Sequence, residues 1–114
     1  MLRTTPKVSV IMTVKNDPSG CAETLDSLNA QTRNFDEVVI VDGGSTDGTI
    51  ECICRYTSDD ARFRLIEAPG VNIARGRNIA ARAAIGEIIA CIDSGCRAEP
   101  GWLERLVSPM KENP

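Results

Sequence analysis

The sequence predicts an α/β protein of three layers, with a mostly parallel sheet between two sets of helices. Two observations lead there. Apolar runs of strand length alternate with helical patterns in the order β-α-β-α-β-α-β-α, an order that calls for right-handed crossovers and a largely parallel sheet. One of those runs, Val38 to Val41 between Glu37 and Asp42, is β-branched without interruption, as expected of a strand covered on both faces.

The first strand is expected over Lys7 to Val14, rich in valine and isoleucine. Asn16-Asp17-Pro18-Ser19-Gly20 breaks it and starts a helix, with Asp17 and Ser19 in turn and cap roles. In that helix Cys21 or Ala22, Leu25 and Leu28 recur at helical spacing, so one face packs on the sheet. Asn34 to Asp36 leads into the second strand, Glu37 to Asp42. After the Gly43-Gly44-Ser45 turn, Thr46 or Asp47 can cap a second helix whose inner face is Ile50, Ile53, Cys54 and Thr57. Arg62 to Glu67 alternates in character, which predicts a strand nearer an edge. Asn72 can cap a third helix from Ile73 to about Ala84, rich in small residues and arginine. Gly86 separates it from a fourth strand ending at Asp93. Pro100 fits the first turn of a last helix, with Trp102, Leu103, Leu106 and Val107 as apolar contacts and Pro109 and Pro114 bracketing its end.

A chain of 114 residues is one domain, here 1–114. The net charge of -3 argues against a general polyanion binder, so no nucleic-acid partner is expected, although local recognition of a nucleotide stays open. The five cysteines lack C-x-x-C spacing and there is no histidine. That makes a zinc site unusual and removes Ser-His and Cys-His nucleophile pairs. The thiols are expected to be reduced, packed as small hydrophobes, in a cytoplasmic protein. Arg3 and Lys7 before an apolar run resemble a signal peptide, but Lys15 to Pro18 follow where small residues would mark a cleavage site. No segment has the length of a transmembrane helix.

Thr13, Asn16, Asp42 and Asp93 all fall at or just beyond carboxyl ends of expected strands, where open α/β sheets bind ligands. Converging carboxylates can hold a divalent cation, hydrogen-bond sugar hydroxyls or read the N–H edge of a base. Gly43, Gly44 and Gly95 let a ligand approach the backbone. On the third helix Arg75 and Arg82 share a face and Arg77 points elsewhere; a guanidinium near the helix start could meet a phosphate. No G-x-G-x-x-G follows the first strand, and no G-x-x-x-x-G-K-[ST] occurs, which argues against a dinucleotide oxidoreductase and a Walker-type NTPase.

Taken together, these segments resemble glycosyltransferase family 2. The residues that carry the likeness are Val8 to Thr13 with Asn16, Leu28 to Thr32, Glu37 to Thr49, Gly76-Arg77-Asn78, Gly86 to Ile89, Asp93, and Pro100 to Leu103. The resemblance implies the Rossmann-like nucleotide-binding half of a GT-A fold. It also implies transfer, with inversion, of a sugar from a nucleoside-diphosphate sugar to an acceptor hydroxyl, usually with Mg2+ or Mn2+. By the same resemblance, Thr13 and the loop to Asn16 border the nucleoside, Asp42 lies beside the base and Arg77 is near the nucleotide. Asp93 takes the D-x-D position facing ribose, diphosphate and metal.

The family's acceptor-binding half, with its general base, would follow residue 114, so the chain is expected to be cut short on that side and its catalytic base is not assigned. The resemblance further implies a saccharide or lipid-linked acceptor, cell-surface polysaccharide synthesis, and a cytoplasmic site at the inner membrane face, with peripheral association through regions absent here. The chain departs from the common pattern in three places. Gly43 follows Asp42 where many relatives carry a second aspartate, Asp93-Ser94-Gly95 lacks the second carboxylate of D-x-D, and Lys15 stands where an aromatic often stacks on the base. A nucleotide-binding module without catalysis is the alternative.

Overall fold

The computed structural model describes residues 6–112, with side chains through Pro109. The elements are β1 (Val8–Val14), α1 (Pro18–Asn29), β2 (Glu37–Asp42), α2 (Thr49–Asp59), β3 (Phe63–Glu67), α3 (Ile73–Ala83), β4 (Ile88–Cys91) and α4 (Trp102–Glu112). The sheet runs β3-β2-β1-β4, and every pairing is parallel. The three-layer α/β/α class expected from the sequence is the one observed.

Strand order explains the layering. The chain moves from β1 to β2 to β3 in one direction, then crosses back to place β4 on the far side of β1. Right-handed crossovers travelling in opposite directions put their helices on opposite faces. One face carries Val10, Met12, Val38 and Ile40 against Leu25 and Leu28 of α1, Ile53 of α2, and Leu103 and Val107 of α4. The other face carries Ile11, Val39 and Val41 against Ala80 and the small residues of α3. β1 and β2 sit between both layers, which is why their sequences are unbroken apolar runs. β3 and β4 are edges, with part-exposed patterns.

Several expectations shift. The inner stripe of α2 is Thr49, Cys52 and Ile53 with half-buried Tyr56, and Cys54 is exposed. The helix begins at Thr49 behind Gly48, later than a cap at Thr46 or Asp47 would set it, and its buried stripe lies one residue earlier along the chain than expected, a turn of roughly 100°. Asp47 is the polar group at its start, accepting from the Thr49 amide at 3.0 Å and its hydroxyl at 2.6 Å. β4 ends at Cys91, so Asp93 lies beyond the strand in the following turn. On α4, Leu103 and Val107 are buried, whereas Leu106, at 42% exposure, faces solvent. Pro109 lies inside α4 on its exposed side, at the loss of one helical hydrogen bond. Pro114 is outside the described residues.

The amino end of the sheet is tied by one carboxylate. Glu37 is buried, and its Oε2 accepts from the Ser9 hydroxyl and the Ile85 amide, each at 2.6 Å. Its Oε1 pairs with Arg64 at 3.1 Å. Arg64 also donates to the Ala83 carbonyl at 2.6 Å, and the Gly86 amide donates to the Ser9 hydroxyl at 2.8 Å. Three strands and the α3–β4 connection thus meet at a single side chain.

The cysteines divide. Cys21 and Cys52 are buried, but Cys54, Cys91 and Cys96 are exposed, against the expectation of packing throughout. Burial, followed by the nearby Cys52, Asp17 and Asp42, pushes the Cys21 thiol up to about 12, so it stays protonated and inert at neutral pH. Alkylation of native protein at pH 7.5, read by mass spectrometry, is expected to label the three exposed cysteines and to reach Cys21 only after denaturation. Glu37→Ala strands several buried donors and is expected to cost about 2–4 kcal/mol of stability, measured by urea unfolding.

Candidate functional site

The carboxyl ends of the strands hold a lattice of loop contacts and, beside it, a cleft. β1 ends at Val14, and the chain turns at Asn16, whose φ of 52° is a left-handed value that asparagine tolerates better than most residues. Its side-chain oxygen accepts from the Thr46 amide at 2.8 Å, and its own amide donates to the Ser45 hydroxyl at 2.8 Å. Asp17 follows, its amide donating to Thr49 Oγ1 at 3.0 Å. The β1–α1 and β2–α2 connections are therefore laced together.

Asp42 is at the centre of that lattice. It is 1% exposed. One carboxylate oxygen accepts from the Gly44 amide at 2.9 Å and the Ser45 amide at 2.8 Å, and the other accepts from the Ser45 hydroxyl at 2.6 Å. The carboxylate is directed into its own loop, and the Ser45 hydroxyl links it to Asn16.

The cleft measures about 900 Å³ and opens where β1 and β4 diverge in connection, the topological switch point of the sheet. Thr13, Lys15 and Asp17 line one side, Gly43 the floor next to β2, the Val71–Ala74 stretch with Gly76 and Arg77 the α3 side, and Asp93 and Ser94 the far side. α3 reaches this position because Gly76 has no side chain: a Cβ there would come within 2.8 Å of Thr13 Cγ2. Asn72 caps the helix at the mouth of the cleft, accepting from the Arg75 amide at 2.8 Å.

Across the cleft, Arg77 donates to Asp93 Oδ1 at 2.6 Å. The contact raises the Arg77 pKa, so the guanidinium is charged at every accessible pH. Both side chains are substantially exposed, at 44% for Arg77 and 62% for Asp93. Such an exposed pair adds little stability. Among the described residues no group of three or more Cys, Asp or Glu side chains is placed to hold a metal ion.

Of the residues singled out from sequence, Thr13, Arg77 and Asp93 line the cleft together. Asn16 and Asp42 do not; they brace its rim. Sequence reasoning missed the cleft-lining role of Asp17 and Ser94, reading Asp17 only as a cap. The signal available was its place three residues past the end of β1. The wall formed by Val71 to Ala74 carries no chemical motif and gave no signal.

The model of the family described as Glycosyl transferase family 2 matches residues 9–114. Glycosyltransferase AglE of Haloferax volcanii is 36% identical over 113 residues, covering 96% of this chain and 37% of AglE. The structure of S. aureus TarS 1-349 in complex with UDP superposes with a TM-score of 0.82 at 28% identity, over 93% of this chain and 32% of that one. The mannosyltransferase PcManGT from Pyrobaculum calidifontis, in complex with GDP-Man and Mn2+, superposes with a TM-score of 0.80 at 30% identity, over 94% of this chain and 32% of that one. The chain spans about a third of the length of these relatives.

Because Asp42 shapes the rim from within, Asp42→Ala is expected to cost about 2–3 kcal/mol by urea unfolding. Hydrogen exchange at the Gly44 and Ser45 amides should accelerate with it, and unchanged protection there would contradict the role.

Proposed function

The chain belongs to glycosyl transferase family 2, and on that premise we propose that it forms the donor site of a glycosyltransferase, taking a nucleoside-diphosphate sugar into the cleft beside β1. The observation that carries this reading is the exchangeable Arg77–Asp93 pair facing across that cleft. A diphosphate takes the guanidinium as its partner in forked, charge-assisted hydrogen bonds, and Asp93 is then released for a cation or a ribose hydroxyl.

Thr13 and Lys15 at the end of β1, with Gly43 below them, form the side for the nucleoside. Asn16 and Asp42 hold that side in shape through Ser45. In this reading they act on the nucleoside through the loop they brace.

The charge on the cleft favours a divalent cation. Lys15 and Arg77 are offset by Asp17 and Asp93 among the lining residues, so a diphosphate brings in negative charge that the lining leaves unbalanced. The donor set fits Mg2+ or Mn2+, which take oxygen ligands, often one or two carboxylates completed by phosphate oxygens and water. Asp93 would be the protein ligand. A cation bound there supplies Lewis-acid stabilisation of the departing diphosphate. The chain's own residues bind and orient the donor, which lowers the entropic part of the barrier.

Transfer to an acceptor hydroxyl with inversion, the acceptor being a saccharide or a lipid-linked saccharide, belongs to the whole protein. The group that deprotonates that hydroxyl is not assigned to any residue of this chain. Among the described residues no helix is long and apolar enough to cross a membrane. The three exposed free thiols suit a reducing, cytoplasmic setting.

Calorimetric titration with UDP and GDP tests the reading. At least one is expected to bind, and more tightly with Mn2+ than without. Asp93→Ala should abolish the Mn2+ gain, whereas Asp42→Ala should weaken binding in both conditions. Absence of binding by any nucleoside diphosphate, with or without Mn2+, would sink the proposal.

A further inference from the structure

We propose that Asp17 supplies a second carboxylate for the divalent cation that accompanies a diphosphate in this cleft, filling in space the place that residue 95 leaves without one. The inference rests on reading the cleft as a donor site and goes beyond it by naming a residue from a different part of the chain. In Asp93-Ser94-Gly95 only the first residue carries a carboxylate. Gly95 has a φ of +92°, and a Cβ placed on it would lie 3.5 Å from Asp17 Oδ2, with no other atom of the described residues outside its chain neighbours within 4 Å. A side chain growing from position 95 would therefore head to where the Asp17 carboxylate already stands.

Asp17 is held there from several directions. Its amide donates to Thr49 Oγ1 at 3.0 Å, and its Oδ1 accepts from the Gly20 amide at 3.2 Å as the cap of α1. Among the described residues its Oδ2 is engaged only by the Ser94 hydroxyl, at 3.2 Å. That contact is long and the hydroxyl can rotate, so this oxygen keeps lone pairs for a ligand. Asp17, Asp93 and Ser94 all line the same cleft. The cap role by itself does not call for a charge, since asparagine or serine would cap α1 as well. Magnesium and manganese suit two carboxylates completed by phosphate oxygens and water.

The role has a signature of sign. In the absence of metal, a carboxylate at 17 repels a diphosphate; with metal, it attracts the cation that bridges to it. Asp17→Asn keeps the capping oxygen and removes the charge, and Asp17→Ser is a second variant that preserves the cap.

Calorimetry with UDP and GDP, with and without Mn2+, gives the nucleotide affinities, and electron paramagnetic resonance of free Mn2+ gives the metal affinity in the presence of nucleotide. Both variants are expected to bind metal-free nucleotide as well as the parent or better. Their Mn2+ affinity should fall about tenfold or more. Retention of the parent's Mn2+ gain in both variants overturns the proposal and leaves the donor site standing. Parallel loss of metal-free and Mn2+-dependent binding also overturns it, since that is the mark of a merely structural residue. A parent that binds no nucleoside diphosphate overturns both.

Discussion

β2 is buried along its whole length and carries a carboxylate at each end, and the satisfaction of those two charges is the constraint on which the rest of the structure depends. A buried carboxylate without partners is costly enough to reorganise what surrounds it. At the amino end, Glu37 gathers Ser9, Arg64 and the Ile85 amide, fixing the return of the chain from α3 to β4. At the carboxyl end, Asp42 gathers the Gly44 and Ser45 amides and the Ser45 hydroxyl, and through Ser45 it fixes the turn after β1. Both ends leave no buried side-chain nitrogen or oxygen unpartnered among the described residues.

The cleft follows from these two anchorages. Glu37 sets where α3 ends, and the glycine at 76 sets how closely its start approaches Thr13. Asp42 sets the floor and the rim. Because the connections after β1 and β4 leave the sheet from neighbouring strands, a gap opens between them. The exposed Arg77–Asp93 pair differs in kind from the buried carboxylates. Solvent screens it, so it can be traded for a ligand without loss of fold.

The division between scaffold and site was only partly legible in the residues. Thr13 and Asp93 could be placed near a ligand because strand tips in a parallel sheet share one edge, and Arg77 through the Gly76-Arg77-Asn78 segment that carries the family resemblance. Asp42 sits at such a tip too, yet its carboxylate turns into the loop, since two glycine- and serine-borne amides lie closer to it than the cleft does. Strand position predicts the edge, while the rotation of one side chain depends on which donors the loop offers. The same limit explains α2, whose buried stripe lies one residue earlier along the chain than expected and so places Cys52 rather than Cys54 in the core.

By itself the sequence determined the element order, the parallel sheet, the burial of β1 and β2 and the family, because each rests on local periodicity or on motifs contiguous in the chain. Only the tertiary structure decided which carboxylates face the cleft. Asp17 and Gly95 are separated by most of the chain, and no pattern of spacing relates them; the strand order that sets β4 beside β1 brings them together. Asp42 shows the converse, a residue at the expected edge whose charge is consumed by its neighbours. The direction of a side chain is settled by the competition among partners in three dimensions, and that competition is not written in any one segment.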